Sequence, residues 1–258
     1  MFLALTTILN FYSFVYNSGF YVIFAVQKIA MRQFIIFLCI LLIPSGYSFH
    51  PKNQDENPTV DSCYQLYMDM QLDTLVEYKA FEQAIAGYHA IDAKDKGIIT
   101  LIDFTKPSTQ KRLFVLNIEQ KEIVFASHVA HGKNSGDNYA VSFSNKSGSN
   151  KSSLGFYLTG ETYEGRNGYS LILNGLEKNI NDKARQRSIV IHAADYCDPE
   201  EAVHCGRLGR SWGCPALPND LNEPIINAIK GGTLLFIYAD NQDYLAKSPI
   251  LKKSSDKG

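Results

Sequence analysis

The chain has 258 residues, 45% of them hydrophobic, and its 25 Lys and Arg residues nearly balance 26 Asp and Glu residues, for a formal net charge of -1 at pH 7. A chain of this length can bury a substantial hydrophobic core. The lack of net positive charge gives no support to a nucleic-acid partner.

The first predicted element is a secretory signal. Residues 34–43 read "FIIFLCILLI", an uninterrupted apolar run that follows a basic "MRQ" start and precedes small residues. A membrane-spanning helix needs about 20 apolar residues, whereas a run of this length after a basic start is typical of a signal peptide. We therefore predict a signal peptide at 31–48, with membrane contact only through this segment if it is uncleaved. Export to the periplasm or cell envelope follows from that prediction.

The flanking residues are predicted from their composition. Residues 1–30 are apolar but interrupted by Asn, Ser and Gly, and we interpret them as an upstream extension before the true initiator Met31. A membrane hairpin formed with the second apolar run is the alternative. Residues 49–60 are polar and rich in turn-forming residues, which predicts a flexible lead-in.

Residues 61–95 are predicted to form a helical N-terminal segment of two short amphipathic helices. Apolar residues recur there at the three- and four-residue spacing of a helix. They include Leu66, Met70, Tyr78, Phe81, Ile85 and Tyr88.

From residue 96 to 245 the pattern changes to short β runs bounded by turn residues. One clear helix, "PNDLNEPIINAIKGG", interrupts them. Frequent strands without alternating helices argue against a doubly wound parallel sheet. We predict a mainly β fold, an antiparallel barrel or sandwich with flanking helices, followed by a polar tail at 246–258. The predicted strands are 98–104, 112–118, 122–130, 153–160, 169–176, 188–193 and 232–239.

A polar segment lies between two of these strands. Residues 142–153 read "SFSNKSGSNKSS" and show no hydrophobic period. One interpretation is a mobile, solvated loop. The other is a lid or groove loop beside a functional site, because functional groups concentrate on such connections.

The stretch "GRSWGCPALP" at 209–218 contains two candidate nucleophiles, Ser211 and Cys214. Ser211 matches the G-x-S-x-G motif of α/β-hydrolases, in which the catalytic histidine follows the serine in the chain. The last histidine here is His204, so no base follows Ser211 and the serine interpretation fails. Cys214 needs only a histidine within reach of its sulfur.

His192 is the predicted partner of this thiol. It ends the apolar run "SIVIH", where a strand opens into a loop and its side chain can face a cleft. A nearby imidazole can share or remove the thiol proton. Gly213 permits a tight turn that brings backbone N–H groups close to a developing oxyanion. The bland alternatives are a core histidine and a small buried thiol.

Two further cysteines are predicted to pair. Cys197 and Cys205 bracket the short acidic loop "DPEEAVH", which a disulfide could close in an oxidising compartment. This leaves Cys214 free for chemistry and Cys63 as a buried thiol. A zinc site is the weaker alternative: His128 and His131 are spaced H-x-x-H, but in a strand these positions point to opposite faces. We predict no metal and no cofactor.

Three segments together resemble the murein L,D-transpeptidase catalytic domain family of bacterial envelopes. They are "FSNKSGSNKSSLGFYLTGETYEGRNGYSLILNGLE", "SIVIHAADY" and "GRSWGCPALP", and the likeness runs from about Tyr78 to Tyr238. The resemblance implies a β-rich domain that attacks peptidoglycan stem peptides and releases D-alanine. The acyl group is held as a cysteine thioester and passed to an amine of a neighbouring stem.

Carried over by position, the resemblance implies Cys214 as nucleophile, His192 as base and Ser211 as the serine of the motif. Gly213 and Cys214 would supply backbone donors to the oxyanion. Relatives with the usual pattern carry a second histidine at the position of Trp212 and an arginine or asparagine at that of Ala216, so this chain resembles a divergent branch.

Substrate recognition must therefore come from other residues. We expect Arg210 or Arg207 to bind the substrate carboxylate, and we include Trp212 and His131 among the substrate-binding candidates. Three alternatives stay open: an L,D-carboxypeptidase, an endopeptidase using water as the acceptor, and a catalytically silent wall-binding module.

Overall fold

An eight-stranded sheet organises the chain in the computed structural model, which describes residues 60–92 and 97–255. The predictions for the upstream extension, the signal peptide and almost all of the lead-in lie outside these residues. The strands are β1 (Ile98–Asp103), β2 (Leu113–Asn117), β3 (Glu122–Ser127), β4 (Gly155–Gly165), β5 (Gly168–Gly175), β6 (Val190–Ala193), β7 (Ala216–Leu217) and β8 (Leu234–Tyr238).

The order across the sheet is β3-β2-β1-β8-β4-β5-β6-β7. Neighbouring strands are antiparallel except for β1 with β8 and β6 with β7. The two outer strands approach each other: Ala130, just after β3, forms a bridge with Ala216 of β7. The sheet therefore curls into a nearly closed barrel. This confirms the predicted mainly β fold with mostly antiparallel pairing.

The core lies where the central strands β1 and β8 are covered on both faces. All five residues of β8 are buried, as are five of the six in β1. Phe156 of β4 stacks on Phe236 of β8 with ring centroids 4.1 Å apart. A Cβ at Gly87 would lie 2.1 Å from the Phe156 ring. The absence of a side chain at Gly87 is what lets the second helix pack so closely on the sheet.

Six helices flank the sheet in the described part of the chain. The predicted pair is confirmed as α1 (Val60–Asp69) and α2 (Tyr78–Ala90), and the predicted interrupting helix as α4 (Asn219–Ile229). Three helices were not predicted: α3 (Pro199–Cys205), α5 (Gln242–Lys247) and α6 (Pro249–Ser255).

The C-terminal helices pack onto the core, although part of this region was predicted only as a polar tail. Ile250 and Leu251 pack against the core cluster. The buried Glu177 carboxylate accepts hydrogen bonds from the hydroxyls of Ser248 and Tyr244, at 2.5 and 3.1 Å. A buried carboxylate needs such partners because it has lost its water. Apolar packing and a buried polar cluster thus hold these helices in place.

Candidate active site

The stretch from Ser211 to Ala216 forms a turn at the closing edge of the barrel. The segment after β3 holds it: Ser211 N–H donates to the His131 carbonyl at 2.9 Å, and Lys133 N–H donates to the Ser211 carbonyl at 2.8 Å. Ala130 N–H donates to the Ala216 carbonyl at 2.9 Å. Closure of the barrel therefore sets the position of the turn that carries Cys214.

Ser211 stabilises the inside of this turn. Its buried hydroxyl donates to the Cys214 carbonyl at 2.6 Å and accepts from Gly213 N–H at 3.0 Å. These bonds make the serine a support for Cys214. They also engage the N–H of Gly213, which the sequence predicted as an oxyanion donor. Among the described residues, the Cys214 N–H is the predicted donor that has no partner.

The Cys214 thiol is only partly exposed and faces the chain just before β6. Its Sγ donates to the Ser188 carbonyl at 3.5 Å. Ser188 has a φ of 56°, which is uncommon for a residue with a side chain and is often found at functional sites. Burial raises the pKa of Cys214, while the Val190 backbone and the Arg187 cation oppose that rise.

His192 lies in β6 and is 5% exposed. Its Nδ1 is 2.7 Å from the Ala193 carbonyl oxygen. A carbonyl can only accept, so Nδ1 carries the proton and Nε2 of the neutral ring keeps a free lone pair. Burial lowers the pKa of His192, opposed by this hydrogen bond. The ring is therefore a neutral base in the tautomer that can take a proton at Nε2.

Strand pairing brings the thiol and the imidazole to the same end of the sheet. His192 pairs with Ala216 in the parallel β6–β7 ladder, and Cys214 is two residues before Ala216. Within the described residues, the two side chains hydrogen-bond to backbone carbonyls and not to each other. Catalytic hydrogen bonds are often absent before substrate binds.

Replacing Gly213 with alanine is expected to destabilise the protein by about 1–3 kcal/mol. Gly213 has a φ of 127°, and a Cβ there would lie 2.8 Å from the Lys151 carbonyl oxygen and 3.0 Å from Ile189 Cδ1. The matched control is Gly148→Ala, which has a φ of 71° but open space around its Cβ. Urea unfolding should show the larger loss at Gly213. Equal losses would mean that the contact with Lys151 contributes nothing.

Arg187 is a residue of this site that the sequence interpretation missed. Its Nη1 donates to the Ser144 carbonyl at 2.8 Å and to Ser153 Oγ at 2.5 Å, and its Nη2 donates to the Lys151 carbonyl at 2.7 Å. The signal available was a cation five residues before His192. The guanidinium ties the polar segment 142–153 to the chain just before β6, beside the Cys214 turn.

The segment 142–153 is therefore anchored beside the site, which agrees with a groove loop and not with a solvated one. Ser152 is buried; its Oγ donates to the Gly213 carbonyl at 3.2 Å and accepts from Gly132 N–H at 3.0 Å. Asn134 Nδ2 also donates to the Ser149 carbonyl, at 2.9 Å. This segment forms one wall of the region around Cys214.

A cavity of about 330 Å³ lies on the other side of the chain segment that contacts Cys214. Its wall includes Ser188, whose carbonyl accepts from the thiol, and Val190 at the start of β6. A mainly apolar cavity with few polar groups is the usual form of a small-ligand site. The full lining is Tyr163, Ile172, Arg185, Ser188, Ile189 and Val190.

The two arginines expected to bind a carboxylate already share one. Arg207 Nε is 2.8 Å from Asp137 Oδ1, and Arg210 Nη1 is 3.2 Å from the same oxygen. Arg210 also donates to the Gly136 carbonyl at 2.9 Å. The Asp137 side chain is 76% exposed, so a substrate carboxylate would have to displace a solvated acid.

The two other substrate-binding candidates differ in exposure. Trp212 is 73% exposed, with Lys133 Nζ 6.0 Å from the centre of its ring, so it can contact a ligand. His131 is fully buried: its Nδ1 is 2.8 Å from Arg112 Nη2, and its Nε2 is 3.4 Å from the Gly136 carbonyl. Burial, and then the Arg112 charge, lower its pKa to about 4. His131 is thus a neutral support for the site and not a substrate contact, which corrects the prediction.

The structure does not form the predicted disulfide. Cys197 and Cys205 are free thiols, one buried and the other exposed. Cys197 Sγ donates to the Ala216 carbonyl at 3.3 Å. The reason is local: the residues between the two cysteines form helix α3. Its seven residues span roughly 10 Å, whereas a disulfide needs Cα atoms roughly 4.4–6.8 Å apart. Cys63 is buried, as predicted.

Within the described residues, no group of three or more His, Cys, Asp or Glu side chains is placed to bind a metal ion. His128 Nε2 contacts the Thr109 carbonyl at 3.2 Å, away from the partners of His131. In that same part of the chain, no helix has the length and apolar character of a membrane span.

Comparison with known proteins now adds to this geometry. A family model described as the L,D-transpeptidase catalytic domain matches residues 72–238, more than half of the chain. The chain belongs to this family. The match runs from just after α1 to the end of β8, and so includes both Cys214 and His192. No curated protein matches the sequence.

Solved structures with some similarity include other L,D-transpeptidases. An L,D-transpeptidase from Mycobacterium smegmatis is 12% identical, with a TM-score of 0.36, and the match covers 55% of this chain and 59% of that one. The helical cell shape determining protein Pgp2 from Campylobacter jejuni is 16% identical, with a TM-score of 0.40 and coverages of 64% and 56%. Bd1075 from Bdellovibrio bacteriovorus is 19% identical, with a TM-score of 0.36 and coverages of 65% and 56%. The chain thus spans less than two thirds of the length of each.

Proposed function

We propose that this protein is an exported cysteine acyl-transfer enzyme that remodels peptidoglycan stem peptides. The observation that carries the proposal is the placement of Cys214 and His192 at one sheet end by β6–β7 pairing, inside an L,D-transpeptidase domain. The apolar run at 34–43 supports delivery to the envelope, where such stems lie.

The proposed first half-reaction uses the Cys214 thiol, the His192 ring and the backbone of the turn that carries Cys214. Cys214 Sγ attacks the stem carbonyl carbon that precedes D-alanine, and Nε2 of His192 takes the thiol proton as the C–S bond forms. The oxyanion accepts a hydrogen bond from the Cys214 N–H. The C–N bond then breaks, the D-alanine amine leaves with the proton from His192, and a thioester stays on Cys214.

In the second half-reaction, an amine of another stem attacks the thioester and His192 takes its proton. The C–S bond breaks and the proton returns to the sulfur, which restores the thiol. Water in place of the amine would make the enzyme a carboxypeptidase or endopeptidase. The cavity bordered by Ser188 and Val190 is the proposed place for one stem, because the Ser188 carbonyl contacts the sulfur and the cavity wall is mainly apolar.

The two pKa directions favour a general-base mechanism over a preformed ion pair. Burial raises the pKa of Cys214 and lowers that of His192, so both are neutral at rest. A thiolate then forms only as the proton moves to Nε2 during attack. Ultraviolet absorbance of the thiolate at neutral pH should be absent from the resting enzyme and should not change in a His192→Ala variant.

The pH dependence of turnover is the corresponding kinetic prediction. A general base acts in its neutral form, so activity should fall as pH falls through the pKa of His192. Because burial lowers that pKa, the acidic limb should lie below the ordinary value of about 6.5. A profile of turnover against pH checks this, with a stable fold confirmed at each pH by circular dichroism. An acidic limb above 6.5 would contradict a buried neutral base.

The test of function itself is the change in muropeptides. The purified protein, with its thiol shown to be reduced, is incubated with tetrapeptide-bearing muropeptides and the products are identified by mass spectrometry. Loss of one alanine supports the proposal, and a new cross-link between two diamino acids distinguishes transfer from hydrolysis. Cys205→Ser is the control, because Cys205 is an exposed thiol on α3 and should not affect turnover. No change in any muropeptide would favour a silent wall-binding module.

Export is tested separately, by location. The full chain, tagged at its C-terminus, should be found in the envelope fraction. Replacing two leucines of the 34–43 run with arginine should retain it in the cytoplasm, because a signal needs an unbroken apolar segment. A variant that is still exported would show that this run is not the signal.

A further inference from the structure

Arg187 is a half-buried cation that the proposed reaction does not use, although it lies beside the nucleophile. Burial lowers its pKa, while Tyr157 and Cys214 raise it. It bonds to four groups of segment 142–153, the fourth being Ser149 Oγ at 3.3 Å. Keeping a guanidinium out of water has a cost that only good partners offset. These bonds hold the charge at a fixed position.

That position is against the turn that carries Cys214. A Cβ on Gly213 would be 3.4 Å from Arg187 Nη2 and 2.8 Å from the Lys151 carbonyl. The same Lys151 carbonyl accepts from Nη2 at 2.7 Å. One residue further along the chain, the Ser188 carbonyl accepts from Cys214 Sγ. The thiol therefore contacts the residue that follows Arg187 in the chain, and the guanidinium lies beside the turn that carries the thiol.

Three ionisable groups come from β6 and from the chain on either side of it. Arg187 approaches from the segment before β6, His192 belongs to β6 itself, and Tyr196 lies in the helical turn after β6. His192 is neutral at rest, and burial keeps Tyr196 protonated by raising its pKa. Arg187 is therefore the permanent positive charge among these three.

We propose that Arg187 is the positioning residue that fixes the Cys214 turn against segment 142–153 and supplies the positive charge favouring the Cys214 thiolate. The need for such a charge follows from the Ser188 carbonyl, which accepts from the neutral thiol and would repel a sulfur anion. The inference deepens the proposed function but concerns the reactivity of the thiol, which can be measured without any substrate.

The experiment measures alkylation of Cys214 by iodoacetamide as a function of pH, in the full chain with Cys205→Ser in every variant. Cys205 is exposed and would react, whereas Cys63 and Cys197 are buried. Mass spectrometry of the Cys214 peptide gives the rate. Arg187→Gln should slow alkylation roughly tenfold at neutral pH and move the rate profile to higher pH, because the nearby Arg187 charge stabilises the Cys214 thiolate. Arg187→Lys should restore most of the rate.

Arg166→Gln is the matched control. It removes the same charge at an exposed arginine of the β4–β5 turn. Its profile should equal that of the parent. A parent-like profile in folded Arg187→Gln, or an equal shift in Arg166→Gln, would overturn the proposal. If Arg187→Gln does not fold, Arg187→Lys is the deciding variant. Lysine keeps the positive charge, so a rate profile moved to higher pH in Arg187→Lys would contradict the role proposed for that charge.

The alkylation result and the muropeptide result can fail independently. A protein that changes no muropeptide but shows the expected alkylation profile would refute the proposed function and leave Arg187 in its role. Normal turnover of muropeptides with no effect of Arg187→Gln on alkylation would do the reverse.

Discussion

Replacing Cys214 with alanine is expected to abolish D-alanine release from tetrapeptide muropeptides, a loss of at least about a thousandfold. Without the sulfur no thioester can form, and the Cys214 N–H and the binding surfaces alone give little rate. Mass spectrometry of the products formed by equal amounts of the purified parent and variant proteins measures the loss. Near-normal activity in Cys214→Ala would remove Cys214 from the proposed reaction.

Ser211→Ala is the comparison that separates the two candidate nucleophiles. The Ser211 hydroxyl bonds to the Cys214 carbonyl and to Gly213 N–H, so its loss leaves the turn without its internal support. A misplaced nucleophile should cost roughly tenfold to a hundredfold in rate. A covalent adduct with a stem fragment should still map to Cys214. An adduct on Ser211 would reverse the assignment.

The parts of this fold that sequence could predict are those set by local pattern. The alternating and continuous apolar runs place seven of the eight strands near their observed limits, and the helical spacing places α1, α2 and α4. The strand β7 was not predicted, because a strand of two residues is too short to show an alternation of apolar and polar residues. Helix α3 has visible signals: the Asp198 side chain accepts from Glu200 N–H, Pro199 begins the helix and Gly206 follows it at a φ of 73°. These were interpreted as an acidic loop.

The parts that sequence could not predict depend on contacts between distant residues. Arg207 and Arg210 are near Cys214 in the chain, which made them the natural carboxylate binders. Their partner Asp137 lies about 70 residues earlier, and only folding places it between them. Arg187 was overlooked for the same reason. Its hydrogen bonds are all to segment 142–153, and only folding brings that segment next to it. A sequence shows which side chains can act as nucleophile, base or carboxylate binder. It does not show which distant residues hydrogen-bond to those side chains or form ion pairs with them.

The largest effect on stability is expected from Arg112→Met. Arg112 is fully buried, and burial lowers its pKa to about 9 while the Asp103 carboxylate raises it, so it remains charged at neutral pH. It donates to the Val129 carbonyl at 2.8 Å and to the Lys106 carbonyl at 3.0 Å, and its Nη2 also contacts His131 Nδ1. Its removal leaves three buried acceptors and an acidic group without their cation. We expect a loss of about 3–5 kcal/mol in the free energy of unfolding.

Urea unfolding of Arg112→Met, Asp103→Asn and the double variant tests whether the charge pair carries this loss. Asp103 is fully buried, its Oδ2 has no hydrogen-bond partner among the described residues, and its charge raises the pKa of Arg112. The double variant should therefore be less destabilised than the sum of the two single variants. Arg166→Met, at an exposed arginine of the β4–β5 turn, is the control and should change stability by less than about 0.5 kcal/mol. Full additivity would assign the loss to the carbonyl acceptors alone.

In either case His131 loses the donor that holds its ring, and the His131 carbonyl is the acceptor for Ser211 N–H. Under conditions where Arg112→Met is still folded, we therefore expect slower turnover as well, because the same buried arginine holds the segment after β3, to which the Cys214 turn is hydrogen-bonded.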